Sequence, residues 1–261
     1  DTLARTQKAL LERNLQLSQL QQAELARSKI SPFYGLGSRL ALTELLTQQM
    51  ATGLQKYRLL VVQWQSYDRI EAVFGRQKTQ HILQTYLSHL HQYCLRQGQG
   101  LVSLGPDMHH TLYALSQDKI AMVVQEQEFA KILNSIRKLL HQKYRIDGLA
   151  PDFRPRYGSI LVNDAYCVDA EELIAHASLA LNYLQRDAGH LSYQPSFSDD
   201  NRNRVQLLTD LTKAISGDQF ELVYQPIIDL NSQGCIAVEA LLRWPHPTLG
   251  LIAPSLFIPL A

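Results

Sequence analysis

The chain has few of the features that usually identify a protein at first reading. It has three cysteines, Cys94, Cys167 and Cys235, far apart and with no CxxC pair. An odd, scattered set implies free thiols in a reducing compartment. Neither sign of charge is in excess, since 25 basic residues against 24 acidic ones leave a formal charge of +1. That balance gives no general electrostatic case for nucleic acid or an acidic membrane surface. No apolar run approaches the ~18 residues of a membrane span, and no secretory leader pattern is present. A cytoplasmic location is therefore expected. An initiating methionine is also missing. The chain opens at Asp1 inside a helical pattern and reads as a piece of a longer protein, one that could carry a membrane anchor upstream.

What is present is ordinary for a globular protein: 46% hydrophobic residues, 13 glycines and 10 prolines in 261 residues. That length suits one full domain and part of another. Residues 1–30 contain neither Gly nor Pro and are rich in helix formers. Leu3, Leu10 and Leu17 fall at heptad spacing, with Leu20 beyond them, and Thr6, Arg13 and Glu24 interrupt the stripe. So narrow a seam predicts a signalling helix of coiled-coil type, pairing with a second copy into a homodimer or continuing an upstream helix. Docking on its own domain is the alternative.

Ser31-Pro32 ends that helix. Helix is then expected over 38–55, a buried strand over RLLVVQW (58–64), and one or two helices over 66–96. A hairpin, LYALSQDKIAMVV (112–124), precedes a helix over 127–143, a strand at RYGSILV and a helix over 170–186 capped by Asp169. This alternation predicts an α/β (α+β) domain whose sheet is covered on at least one face. SYQPSFSDDNRNR (192–204) reads as a polar linker. A second unit starts at Val205 with the amphipathic VQLLTDLTKAI, closed by Gly217. Two strands follow, FELVYQPIIDL and CIAVEALLRW, joined by an NSQG turn, and a proline-punctuated loop comes after them. Its 57 residues, 205–261, are too few to close a large core.

In VEALLRW, strand alternation sets Glu239, Leu241 and Arg243 on one face and Val238, Ala240 and Leu242 on the other. Glu239 and Arg243 would lie ~13 Å apart, too far for an ion pair but suited to an elongated ligand with a cation at one end and a phosphate at the other. An edge strand with solvated charges is the equal alternative. His89, His91 and Cys94 suggest a metal cluster only superficially. On a helix the two histidines point ~200° apart, so a solvated or core-edge helix is the expectation.

YQPIIDL, VEALLRWPHP, LGLIAP and FIPLA together resemble the start of the EAL domain, the cyclic-di-GMP phosphodiesterase family. The resemblance implies a (β/α) barrel that hydrolyses the dinucleotide with metal-activated water, using Mg²⁺ or Mn²⁺. By resemblance Glu239 binds metal, Gln225 contacts the ligand, Arg243 holds a phosphate, and Leu241 is the third letter of the motif. The family's remaining metal-binding groups and its lysine would fall beyond Ala261, so the chain as given is expected to be inactive even if its parent is a phosphodiesterase.

Residues 31–191 resemble the GGDEF (diguanylate cyclase) domain that commonly precedes an EAL domain. The matching stretches are SPFYGLGSR, with Gly35, Leu36 and Arg39 kept, LLVVQWQSYDRIEAVFG, and AEELIAHASLALNYLQRDAGH. On this alignment the signature hairpin is Ser116-Gln117-Asp118-Lys119-Ile120, and Gln63 stands where the family's strand aspartate binds metal. Both glycines and one acid are replaced, Glu71 and Ala72 face the guanine position, and Asp107-Met108-His109-His110 lacks the arginine of the product-binding motif. The resemblance therefore implies a degenerate domain without cyclase activity or feedback binding. The leading expectation is a bacterial cyclic-di-GMP phosphodiesterase regulated by this inactive domain. The alternatives are a receptor or adaptor that binds the dinucleotide or a protein partner without turnover, and a domain that still binds GTP and activates its neighbour.

Overall fold

The computed structural model describes residues 27–53, 56–97, 100–103, 107, 110–145, 148–163, 167–184 and 189–258, with Arg13 and Glu24. The expected helix over 1–30, and the dimer contact it would carry, lie almost entirely outside the described residues. The chain divides into two compact units, one ending at Pro195 and one starting at Ser196.

The first unit is built around strand β1 (Tyr57–Trp64). Leu60, Val62 and Trp64 enter one core, and the alternate residues Leu59 and Val61 are as fully buried on the opposite face. A strand apolar on both faces belongs at the centre of a sheet, and β1 lies there. It runs antiparallel to β3 (Lys119–Gln125) on one side and to β4 (Pro155–Leu161) on the other. Short β2 (Tyr113–Ala114) and β5 (His190–Ser192) complete the order β2-β3-β1-β4-β5.

Helices cover both faces. Helix α1 (Arg39–Thr52) is capped by Ser38 and ends at Gly53 in the left-handed conformation. Residues 66–97 resolve into two helices, α2 (Tyr67–Phe74) and α3 (Arg76–Gln97), divided at Gly75. Helix α4 (Phe129–Leu140) follows a 3₁₀ turn and is shorter at both ends than its apolar pattern predicts. It packs with α3 over the Leu60–Val62–Trp64 face. Helix α5 (Ala170–Asn182) packs across β4 and β1 on the other face, where Asp169 Oδ1 accepts from the Glu172 N–H. Gly158 permits this approach: a Cβ there would lie 2.3 Å from the Ala177 carbonyl oxygen.

In the second unit, helix α6 (Pro195–Ser216) begins at Pro195 rather than at Val205. The stretch expected as a linker is helical from Pro195 because proline is tolerated in the first turn, and its Ser, Asp and Asn residues are mostly solvent-facing. Strands β6 (Glu221–Ile228), β7 (Cys235–His246) and β8 (Gly250–Ile252) form an antiparallel sheet, with a short helix α7 (Pro254–Phe257) after them. The β6–β7 turn is organised by Asp229, whose carboxylate accepts from Ser232 N–H at 3.0 Å and Ser232 Oγ–H at 2.6 Å. These hydrogen bonds hold its carboxyl below the usual aspartate range. A small core of Leu211, Ala214, Trp244, Ile252 and Phe257 lies at the β7–β8 end. Among the described residues no helix is long and apolar enough to cross a membrane.

Candidate functional site

The hairpin joining β2 to β3 brings together residues that are far apart in the chain. Leu115 and Ser116 N–H both donate to the Lys119 carbonyl, which closes the turn, and Trp64 N–H donates to the Asp118 carbonyl, which ties it to the end of β1. In this register Gln63 is the direct cross-strand partner of Lys119.

Asp118 is the only carboxylate of the turn, and side chains bond both of its oxygens. Gln63 Nε2 donates to Oδ2 at 2.8 Å, and Ser116 Oγ donates to Oδ1 at 2.6 Å. Gln117 is held at two points: Tyr67 OH donates to its Oε1 at 3.2 Å and Tyr34 OH to its carbonyl at 3.1 Å. Burial raises both phenol pKa values, that of Tyr34 well above the ordinary tyrosine range, and nearby Glu71 adds to the effect on each. Both therefore stay protonated donors at neutral pH. Sequence reasoning missed Tyr34 and Tyr67. Tyr34 sits at positive φ beside Gly35, in the YGLG stretch whose glycines were the only local hint of a close approach.

Chemically this is a closed polar network. A divalent cation needs several anionic or neutral oxygens. Here a single carboxylate is already bonded on both oxygens, by a neutral amide and a hydroxyl. Among the described residues no group of three His, Cys, Asp or Glu side chains is arranged to hold a metal. On α3, His89 Nδ1 meets the Tyr144 hydroxyl, and Cys94 is buried, its thiol pushed up to about 12 by desolvation.

The second constellation is on the β6–β7 pair. Gln225 is directly opposite Glu239, Val223 opposite Leu241 and Glu221 opposite Arg243. Directly opposed residues share a face, so the predicted Gln225, Glu239, Leu241 and Arg243 all project to one side. Glu221 joins them, a carboxylate that the strand pattern did not single out but that a register counted back from the turn reaches. Gln225 and Glu239 are exposed, whereas Leu241 and Arg243 are half-buried. Glu239 therefore carries no burial cost here. Arg243 Nη1 donates to the adjacent Leu242 carbonyl at 3.0 Å. Glu239 and Gln225 supply hard oxygen donors of the kind Mg²⁺ or Mn²⁺ accepts. One carboxylate and one amide do not complete a coordination shell, so no catalytic step follows from these residues alone.

Nearby, buried His246 fixes the loop after β7. Its Nδ1 accepts from Leu249 N–H at 3.2 Å and Thr248 N–H at 3.3 Å, leaving Nε2–H to donate to Asp210 on α6 at 3.3 Å. Hydrogen bonds from Gln206, then Lys213, lower the Asp210 carboxyl pKa.

Residues 208–261 match the EAL domain family. The chain is 32% identical over 156 residues to the cyclic di-GMP phosphodiesterase PA2567 of Pseudomonas aeruginosa, a match covering 58% of this chain and 27% of that protein. It is 28% identical over 259 residues to the cyclic di-GMP phosphodiesterase NbdA of the same organism, covering 95% of this chain and 31% of that one. The chain thus spans about a third or less of these relatives. The GGDEF domain of PA1120 (TpbB or YfiN) from P. aeruginosa superposes with a TM-score of 0.53 at 13% identity, over 66% of this chain and 99% of that one. The first unit thus has the fold of GGDEF domains, and residues 208–261 resemble the opening of an EAL domain.

Proposed function

We propose that this chain is the regulatory unit and the first catalytic strands of a cyclic-di-GMP phosphodiesterase, with a GGDEF-type unit that has no cyclase activity. The observation that carries the reading is the β6–β7 register, which gathers Gln225, Glu239, Leu241 and Arg243 on one face of a strand pair within the EAL match. In this reading Glu239 is a ligand of Mg²⁺ or Mn²⁺ in the complete EAL domain, Gln225 contacts the dinucleotide and Arg243 pairs with a phosphate through its planar fork. Held there, such a metal would supply a water of lowered pKa and offset charge on the phosphate. The closed hairpin network supports a silent first unit: Lys119 repels a cation, and Gln63 gives up the charge that would attract one. Residues 1–30 pair with a second copy, which would make the protein a homodimer that passes a signal through this unit.

The test is cyclic-di-GMP hydrolysis by the protein extended past Ala261, with Mg²⁺ or Mn²⁺. Glu239→Ala is expected to reduce turnover by about a hundredfold or more, the scale on which removing a metal-positioning group acts. Equal turnover in both proteins refutes the role of Glu239. The second reading is a receptor or adaptor that keeps ligand contacts such as Gln225 and Arg243 without turnover. It predicts dinucleotide binding without hydrolysis, whichever metal is added.

A further inference from the structure

The charge of the chain is balanced overall but not locally. Residues 129–146 contain Lys131, Arg137, Lys138, Lys143 and Arg145 and no acidic residue. Helix α4 buries Phe129, Ile132, Leu133, Ile136 and Leu140. Its outer face carries Asn134, Arg137, Lys138 and His141, spaced so that they form one stripe about 10 Å long. These four line a groove of about 460 Å³, within the size range of small-molecule sites.

Among the described residues the cations of this groove have no ion-pair partner. Lys131 on the same helix pairs with Glu128, and Arg58 makes a two-point ion pair with Glu126. Among the described residues no carboxylate pairs with Arg137, Lys138 or His141. Arg137 lies against the backbone at Gly189, where a Cβ would come within 2.6 Å of Nη2. Behind it, His190 Nε2 bonds Ser159 Oγ at 2.9 Å, and its ring packs on Phe129. Burial pushes the His190 pKa down to about 4, and the Arg58 and Arg137 charges push the same way. The positive field is thus felt at a second residue.

We propose that this groove binds a small oligophosphate, such as the phosphate chain of a nucleoside di- or triphosphate. The Arg137 fork can take two oxygens of one phosphate, Lys138 acts as a point charge on the next, and Asn134 and His141 supply further N–H donors. The α4 C-terminus presents carbonyls that oppose an anion by about half a charge, and two full cations outweigh that. An open groove about 10 Å long suits a compact anion better than an extended acidic protein surface.

The test is calorimetric titration of inorganic tripolyphosphate into the whole 261-residue chain at low and near-physiological salt. Saturable one-to-one binding is expected, weakened about tenfold or more by Arg137→Gln and by Lys138→Gln, as loss of a charge-assisted contact implies, and unchanged by Lys131→Gln. The His190 imidazole, followed by NMR, should titrate at higher pH when the anion is bound. Four results would each overturn the proposal: no saturation at millimolar probe, equal weakening by Lys131→Gln, an unmoved His190 titration, or tighter binding of poly-glutamate than of tripolyphosphate.

Discussion

Replacing Gln63 by aspartate restores a carboxylate at the end of β1 and tests whether the hairpin is held as described. In the wild type the Gln63 amide donates to Asp118 at 2.8 Å. Gln63→Asp removes that bond, at about 1 kcal/mol, and sets two like charges side by side. If the groups relax to about 4 Å, their repulsion is about 4 kcal/mol at an effective dielectric of 20 and about 1 kcal/mol in bulk water. The site is half-buried and Lys119 offsets part of the repulsion. A net loss of about 2–3 kcal/mol at pH 7 is expected. The sign with pH follows from linkage: repulsion raises the folded-state carboxyl pKa above the unfolded value, so the penalty is full above that raised pKa and disappears as protons bind on acidification. Trp64, adjacent to the substitution and fully buried, reports urea unfolding of this unit in a Trp244→Phe background. With a slope of about 2 kcal/mol per molar, the midpoint should fall by about 1 M at pH 7. The deficit should shrink towards pH 4, and millimolar Mg²⁺ should recover part of it in the variant and none in the wild type. A midpoint within about 0.2 M of wild type, or a deficit independent of pH, refutes the network.

Gly158→Ala places a methyl group 2.3 Å from a backbone oxygen of α5, and a helix backbone cannot move aside cheaply. The variant should lose about 3 kcal/mol and melt roughly 6–12 °C lower, read by circular dichroism; an unchanged melting temperature would mean that α5 does not approach β4 so closely. The cysteines should separate under a thiol reagent at pH 8. Exposed Cys235 reacts promptly, while buried Cys94, with its thiol near 12, reacts only on unfolding; prompt loss of the Cys94 thiol in the native protein would contradict its burial.

Much of this architecture was legible in the residues. RLLVVQW is a short apolar run that reads as a buried strand, and SQDK between two apolar runs reads as a turn. Once both were placed, the Gln63–Lys119 pairing followed from register. What was not legible depends on contacts between distant residues. Tyr34 and Tyr67 are 83 and 50 positions from Gln117, and no local pattern marks a tyrosine as the clamp on a remote turn. SYQPSFSDDNRNR looked irregular because proline, serine and asparagine weigh against helix on average, yet proline at the first turn is compatible with one. Between a ligand-lining and a solvated Glu239 the strand pattern could not decide, because alternation sets a face but not what covers it.

The hairpin network has one further consequence. An acidic metal site holds like charges together and is under tension until its cation arrives, so its resting state is less stable than its loaded one. Here a neutral amide and a hydroxyl bond the single carboxylate, and the resting hairpin has no such tension. On the proposed reading the hairpin itself waits for no cation, and its local shape should be the same whether divalent ions are scarce or abundant.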